Sequence, residues 1–236
     1  MHDFFAVIPA RAGSKGIQNK NMQLIGGKPM IQFTMESALA SSELCSTIVS
    51  TDNTEIIELA IEKGVSAPFT RPKILSTDSA NLSDVLKHAL DWYNLHNNQY
   101  PKNIVLLQPT SPFRTANDVD QAVKMFKNSR KNNLISACKL MQHPNDCLIQ
   151  NKDGSYKRIE IGLTNSIHSG RQSYCHTIFI DGAIYISKVD SFLKTGDMIG
   201  KDPEIMMLQQ SHAIDIDTPF DLELARSMFK TGMLES

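Results

Sequence analysis

The sequence predicts an α/β protein whose sheet is mainly parallel and covered by helices on both faces. Three observations carry that expectation. Apolar strand candidates alternate with amphipathic helix candidates along most of the chain. The 236 residues, 41% hydrophobic and 21% charged, suffice for one substantial core plus a small appended element. A glycine-containing cationic loop also follows the first apolar run directly, and open α/β sheets place their ligands outside the carboxyl ends of strands.

The elements follow in order. Phe4-Phe5-Ala6-Val7-Ile8 reads as the first strand. Pro29 suits the first turn of a helix reaching about Ser41, with Ile31, Met35, Ala38 and Leu39 at helical spacing. Thr47 to Thr51 is the next strand, and Asn53 or Thr54 caps a helix from Glu55 to Lys63 that stops at Gly64. Val65 to Phe69 reads as a further short strand, followed by a helix from about Ala80 to Leu95 and a strand from Asn103 to Leu107. A helix near Asn117 to Asn128 and a strand from Leu134 to Cys138 continue the alternation. Between Met141 and Thr177 the periodicity weakens into polar residues and short β-like pieces such as Asp146 to Gln150, the mark of an insertion. Phe179 to Ser187 restores a strand. Ser211 to Ile216 reads as the last strand, and Pro219 to Lys230 as a closing helix with Thr218 and Asp221 placed to cap it.

Composition narrows the function. A net charge of −1 gives no global field favouring nucleic acid or anionic membrane, so a polyanion must be met locally. The chain carries no basic leader at its start and nowhere 18 apolar residues in a row, which predicts neither export nor membrane insertion. Cys45, Cys138, Cys147 and Cys175 lack metal-ligand spacing and read as reduced, buried thiols in a cytoplasmic protein.

The chemistry gathers after the strands. Pro9-Ala10-Arg11-Ala12-Gly13-Ser14-Lys15-Gly16-Ile17-Gln18-Asn19-Lys20-Asn21 joins three cations, with no acid among them, to two glycines. Gly13 and Gly16 permit positive φ and close approach of backbone N–H groups to a ligand, so the loop suits a polyphosphate; the alternative is a solvated basic connection. Its spacing is neither that of a P-loop nor that of a dinucleotide fold. Gln108-Pro109-Thr110-Ser111-Pro112-Phe113-Arg114 follows another strand, its prolines stiffening a turn that is either structural or a presentation of Gln108, Thr110 and Ser111. In Ile214-Asp215-Ile216-Asp217-Thr218-Pro219, strand alternation sends Asp215 and Asp217 to one side and the isoleucines to the other. Two converging carboxylates suit Mg²⁺ shared with phosphate; the lesser alternative is that Asp217 merely caps the following helix.

The first of these motifs closely resembles the signature loop of the cytidylyltransferases that activate sialic acid and related nine-carbon ulosonic acids. Gln-Pro-Thr-Ser-Pro with arginine two places on matches the same family, and the likeness runs nearly end to end. It implies a Rossmann-like three-layer nucleotidyltransferase fold forming one domain over residues 1–236, with a small dimerisation arm at about 141–177. It implies that CTP and a nonulosonic acid give a CMP-sugar and pyrophosphate in the cytoplasm, without nucleic acid or membrane partners. Arg11, Ala12, Gly13, Ser14, Lys15, Gly16 and Lys20 are then expected to meet the nucleotide's phosphates, and Asn21, Arg71 and Ala80 its base and ribose. Gln108, Arg171, Gln172, Asp181 and Tyr185 are expected at the sugar acid. Asp215 and Asp217 are expected to hold Mg²⁺, with Arg11, Lys20 and Asp217 closest to the chemistry. The resemblance further implies a homodimer, each arm completing the partner's pocket.

Departures from that pattern bear on the sugar. Sialate-activating members carry a lysine soon after the His-Pro seen here as His143-Pro144, where this chain has Asn145 and Asp146. They also carry Arg-Pro-Asn-Gly where this chain has Phe179-Ile180-Asp181-Gly182. Legionaminic acid or another modified nonulosonic acid therefore stands level with N-acetylneuraminic acid, and the Gln108 motif leans away from the pseudaminic branch. Three other readings stay open: an enzyme for an eight-carbon ulosonate, a metal-dependent glycosyltransferase, and a noncatalytic nucleotide sensor.

Overall fold

Phe4–Ala10 forms the first strand, β1, and its side chains divide between two apolar layers. Phe4, Ala6, Ile8 and Ala10 join one buried cluster, while Phe5 and Val7 join another on the opposite face. A strand buried on both faces needs no polar alternation, hence the unbroken apolar run in the sequence. The computed structural model describes residues 3–13, 16–159, 161 and 175–233.

Helix α1 (Met30–Ala40), α2 (Thr54–Glu62) and α4 (Ala116–Asn128) cover the first face, contributing Ile31, Met35, Ile56, Val119 and Val123 among others. Helix α3 (Leu82–Asn97) and α5 (Val189–Thr195) cover the second with Leu86, Leu90, Tyr93 and Phe192. Between them lies a six-stranded sheet in the order β10-β6-β9-β5-β1-β4. Strands β4 (Ser46–Thr51) and β5 (Asn103–Leu107) flank β1 in parallel, with Ala10 opposite Thr51 and Val7 opposite Leu106. Strand β9 (Ile178–Lys188) runs antiparallel between β5 and β6 (Asn133–Lys139), and β10 (Glu204–Met207) closes the edge in parallel with β6. The fold is thus the expected α/β class with a mostly parallel sheet.

A third cluster sits at one end. The short β2 (Leu24–Ile25) and β3 (Lys28–Pro29) form a hairpin, and α6 (Pro219–Lys230) packs nearby through Leu222 and Ala225. Ile17, Phe113 and Ile216 belong to the same cluster. This packing brings the loop after β1, the turn after β5 and the segment before α6 together.

Two expected strands are not strands. Val65–Phe69 makes only the isolated bridges Ile48↔Ser66 and, just beyond it, Thr51↔Thr70, because Pro68 and Pro72 cannot donate to a ladder. Ser211–Ile216 makes no ladder either; Ile216 N–H donates to the Thr110 carbonyl at 2.8 Å, and the missed β10 takes the sheet edge instead. The expectation of uniformly buried thiols also needs correction. Cys138 is buried and Cys45 and Cys175 partly so, but Cys147 is exposed because it leads into a hairpin outside the core. That hairpin, β7 (Leu148–Gln150) with β8 (Tyr156–Arg158), forms its own two-stranded sheet within the weakly periodic region. No helix among the described residues is long and apolar enough to cross a membrane.

Candidate functional site

The parallel strands β1, β4 and β5 end side by side, so the residues after them share one rim of the sheet. A cavity of about 320 Å³ opens there. Arg11, Gly13, Lys20 and Asn21 line it from the loop after β1, and Arg71, Ala80, Gln108 and Thr110 line it from the neighbouring segments. Lys20 Nζ donates to Asp217 Oδ1 at 2.8 Å, bridging residues 197 positions apart. The cationic bend and the acidic pair therefore meet at Lys20, which lines the cavity while Asp217 does not.

Glycine serves here for proximity. A Cβ on Gly16 would stand 2.7 Å from the Asp217 carbonyl oxygen, so the loop and the 214–217 segment touch backbone to backbone. A Cβ on Gly13 would meet open space, and among the described residues of the loop it is Asn19, φ 48°, that is left-handed, just before the turn Lys20–Met22. Ala12 N–H donates to Asp52 Oδ1 at 2.9 Å, and Asn21 Nδ2 donates to the Arg11 carbonyl at 3.2 Å, which shapes the bend from inside. Ser14, Lys15, Arg171 and Gln172, all expected at the site, lie outside the described residues.

Charges alternate across the cavity. Arg11 pairs with Asp78. Arg71 is 4% exposed, its Nε donating to Ser76 Oγ at 3.1 Å. Burial lowers its guanidinium pKa, Asp52 opposes that shift and Arg11 adds to it. Asp215 is half-buried and its carboxyl is raised, first by burial, with the Thr110 hydroxyl opposing, Asp217 raising it further and Lys20 lowering it. Its Oδ1 is buried without a hydrogen-bond partner. Asp217 is mostly exposed and bound to Lys20. No ladder sets this alternation. Ile216 is buried in the third cluster and Ile214 packs against it, leaving the two carboxylates on the other side.

Both carboxylates supply hard oxygen donors. An unpartnered buried Asp215 oxygen beside an accessible Asp217 carboxylate fits a Mg²⁺ that takes its remaining ligands from phosphate and water. Among the described residues, no group of three or more His, Cys, Asp or Glu side chains could hold a metal, so such an ion must be shared with a ligand.

Gln108 and Leu82 join this cavity to a second, of about 200 Å³, walled also by Tyr185, Met198 and Ile199. Burial raises the Tyr185 hydroxyl pKa, helped by Asp181 and Asp215. Asp181 itself is wholly buried and lines neither cavity. It accepts from Ser136 Oγ and, at 2.9 Å, from Ala183 N–H, at the irregularity where β9 shifts register against β6. Gly182, φ 81°, passes close to Asp215 Oδ2 there; a Cβ would stand 3.8 Å away.

Sequence reasoning left three residues without a role. Arg114 lies under the rim, donating to the carbonyls of Gln108 at 3.3 Å and Ala183 at 2.6 Å and to Thr34 Oγ1 at 2.8 Å. Burial pushes its pKa down to about 10. Asp78 is revealed only by its contact with Arg11. Asp52 carries a readable signal, since it follows the strand Ser46–Thr51 just as Arg11 and Gln108 follow theirs.

Comparison with known proteins gives one consistent likeness. The profile of the family described as Cytidylyltransferase matches residues 5–153. A CMP-N,N'-diacetyllegionaminic acid synthase of Legionella pneumophila is 32% identical over 95% of this chain and 95% of its own. An N-acylneuraminate cytidylyltransferase of Escherichia coli O18:K1:H7 is 31% identical over 93% of this chain but 50% of its own length, so this chain spans about half of that relative. Among solved structures, a CMP:2-keto-3-deoxy-manno-octonic acid synthetase complexed with CTP superposes with a TM-score of 0.71 at 18% identity, covering 98% of this chain and 99% of the other. That likeness shows the shared fold.

Proposed function

This chain belongs to the cytidylyltransferase family, and on that premise we propose that it transfers CMP from CTP to a nine-carbon 2-keto sugar acid of the legionaminic or sialic type, releasing pyrophosphate. The observation that carries the reading is the Lys20–Asp217 contact. It joins the acidic pair to a cationic loop whose Arg11 and Lys20 line the same cavity as Arg71 and Gln108. In the proposed reaction the anomeric oxygen forms a bond to the α-phosphorus as the bond to pyrophosphate breaks.

Each part of the chain then has a task. Arg11, Lys20 and the backbone of the loop after β1 neutralise the triphosphate and steady the departing pyrophosphate. Arg71 presents buried donors to the acceptor edge of cytosine, and rejection of other bases follows because a mismatched edge leaves those donors unpaired. Gln108 and Tyr185, at the junction with the second cavity, hold the sugar acid in line with the phosphate. Met198 and Ile199 offer apolar surface there to acyl substituents, in keeping with the diacetyl sugar named for the Legionella relative. Asp215 and Asp217 would hold Mg²⁺, which when bound offsets negative charge on the reacting phosphates. The four free cysteines suit a cytoplasmic setting. A homodimer joined through the arm is part of the same proposal, supported by the exposed Leu148, Tyr156 and Phe179.

The test is direct. Purified protein with CTP and Mg²⁺ is offered a panel of nonulosonic acids and an eight-carbon ulosonic acid, with pyrophosphate measured and the product identified by mass. A CMP-nonulosonate is the expected product. Binding of CTP with no pyrophosphate release for any acid would overturn the reading.

A further inference from the structure

Asp52 stands between the loop after β1 and Arg71, behind two residues that line the cavity, Arg11 and Arg71, and sheet register puts it there. Ala10 is opposite Thr51 across β1 and β4, and Thr51 bridges to Thr70 on its other side. The residues that follow these three, Arg11, Asp52 and Arg71, therefore emerge side by side. Asp52 is also anchored in its own chain. Thr51 is fully buried in the ladder, and the next residue, Asn53, caps α2 by accepting from the N–H groups of Glu55 and Ile56.

One oxygen of this carboxylate faces both neighbours. Asp52 Oδ1 accepts the Ala12 N–H at 2.9 Å and lies 3.6 Å from Arg71 Nη2, within ion-pair range but longer than a hydrogen bond. That Nη2 is buried and makes no hydrogen bond, while Arg71 Nε is held by Ser76 and the Arg71 N–H donates to the Thr51 carbonyl at 2.7 Å. Arg11 and Asp52 act on the Arg71 guanidinium with opposite signs. The guanidinium is thus held at Nε by Ser76 and flanked at Nη2 by Asp52, on a residue that lines the cavity. Without Asp52, Arg71 would lose the countercharge that opposes the influence of Arg11 on its guanidinium.

We propose that Asp52 is the positioning residue that couples base recognition to the phosphate loop: it orients the Arg71 guanidinium toward cytosine and pins the first turn of the loop through Ala12 N–H. This rests on the cytidylyltransferase reading above. Cytosine N3 accepts a hydrogen bond where uracil N3–H donates one. A guanidinium held in place discriminates between the two bases, and one that swings does not.

Two variants separate the two functions. Asp52→Asn keeps an oxygen for Ala12 N–H but removes the charge beside Arg71, whereas Asp52→Ala removes both. For Asp52→Asn we expect KM for CTP to rise about tenfold and the preference for CTP over UTP to fall by a similar factor. Inorganic tripolyphosphate, a probe of the loop alone, should displace as it does from wild type. Asp52→Ala should weaken CMP and tripolyphosphate alike. Melting temperatures matching wild type establish that each variant is folded, and Asp52→Asn alone decides if Asp52→Ala does not fold. Wild-type protein that fails to bind CTP would overturn the functional reading and this inference with it. Wild type that binds and turns over CTP, beside an Asp52→Asn variant unchanged in KM and in CTP preference, would overturn the role of Asp52 alone.

Discussion

Lys20 and Asp217 form a contact that each would give up when a triphosphate arrives, since the lysine then meets phosphate and the carboxylate meets a cation. Removing the lysine should spare the fold and strike the chemistry. Lys20→Ala is expected to lower turnover on the order of 100-fold or more, measured by pyrophosphate release at saturating CTP; near-normal turnover in a folded variant would remove Lys20 from the mechanism. Arg114 behaves in the opposite way. It touches neither cavity but ties the turn after β5 to β9 and α1 through three acceptors. Arg114→Met would strand those acceptors and leave Asp181 without the countercharge that now lowers its pKa against burial. We expect a loss of about 3–5 kcal/mol in urea unfolding. A loss near that of an exposed ion pair, about 0.5 kcal/mol, would show that the turn holds itself.

Elements with strong local signals were readable from the sequence. Asn53 and the Thr218–Asp221 capping box mark the starts of α2 and α6 where expected, because a cap is satisfied by residues two or three places away. The strand expected at Ser211–Ile216 failed because alternation reports which side is buried, and packing against the third cluster imitates a ladder. That is also why the pairing of Asp215 with Asp217 was legible though its stated cause was wrong. Asp52, Asp78 and Arg114 were not assigned because their partners lie far along the chain. Helix α3 adds a pH dependence of the same hidden kind. His88 packs edge-on against Phe69 at 4.6 Å, and its Nδ1 is buried without a hydrogen-bond partner. Burial lowers its pKa below the ordinary 6.5; Asp91 opposes this and Arg71 reinforces it. The unfolded chain therefore takes up a proton before the folded one does. The corresponding stability is present above pH 6.5 and is lost as pH falls through the lowered value. Urea midpoints should drop between about pH 7.5 and about pH 5.5, and less steeply in His88→Asn. Equal slopes for the two proteins would clear His88.

At the scale of the molecule, the first loop and the last helix close one end of the sheet, while the region proposed as an arm presents apolar residues that nothing among the described residues covers. Leu148 pairs with Arg158, and Gln150 with Tyr156, across β7 and β8. Strand alternation then sets Leu148 and Tyr156 on one face of that hairpin, and both are more than 60% exposed. Phe179 and Ile180, at the start of β9 near the same region, are exposed as well. A second copy of the chain is the partner proposed for this surface, and two-fold symmetry would let each arm reach the other's sugar-acid cavity. Light scattering should give a dimer for the wild type and a monomer for Leu148→Asp combined with Tyr156→Asp. If each arm completes its partner's pocket, the monomer should retain CTP affinity and lose turnover of the sugar acid. A monomeric variant with full turnover would leave the arm as a contact surface only, and a monomeric wild type would remove the dimer altogether.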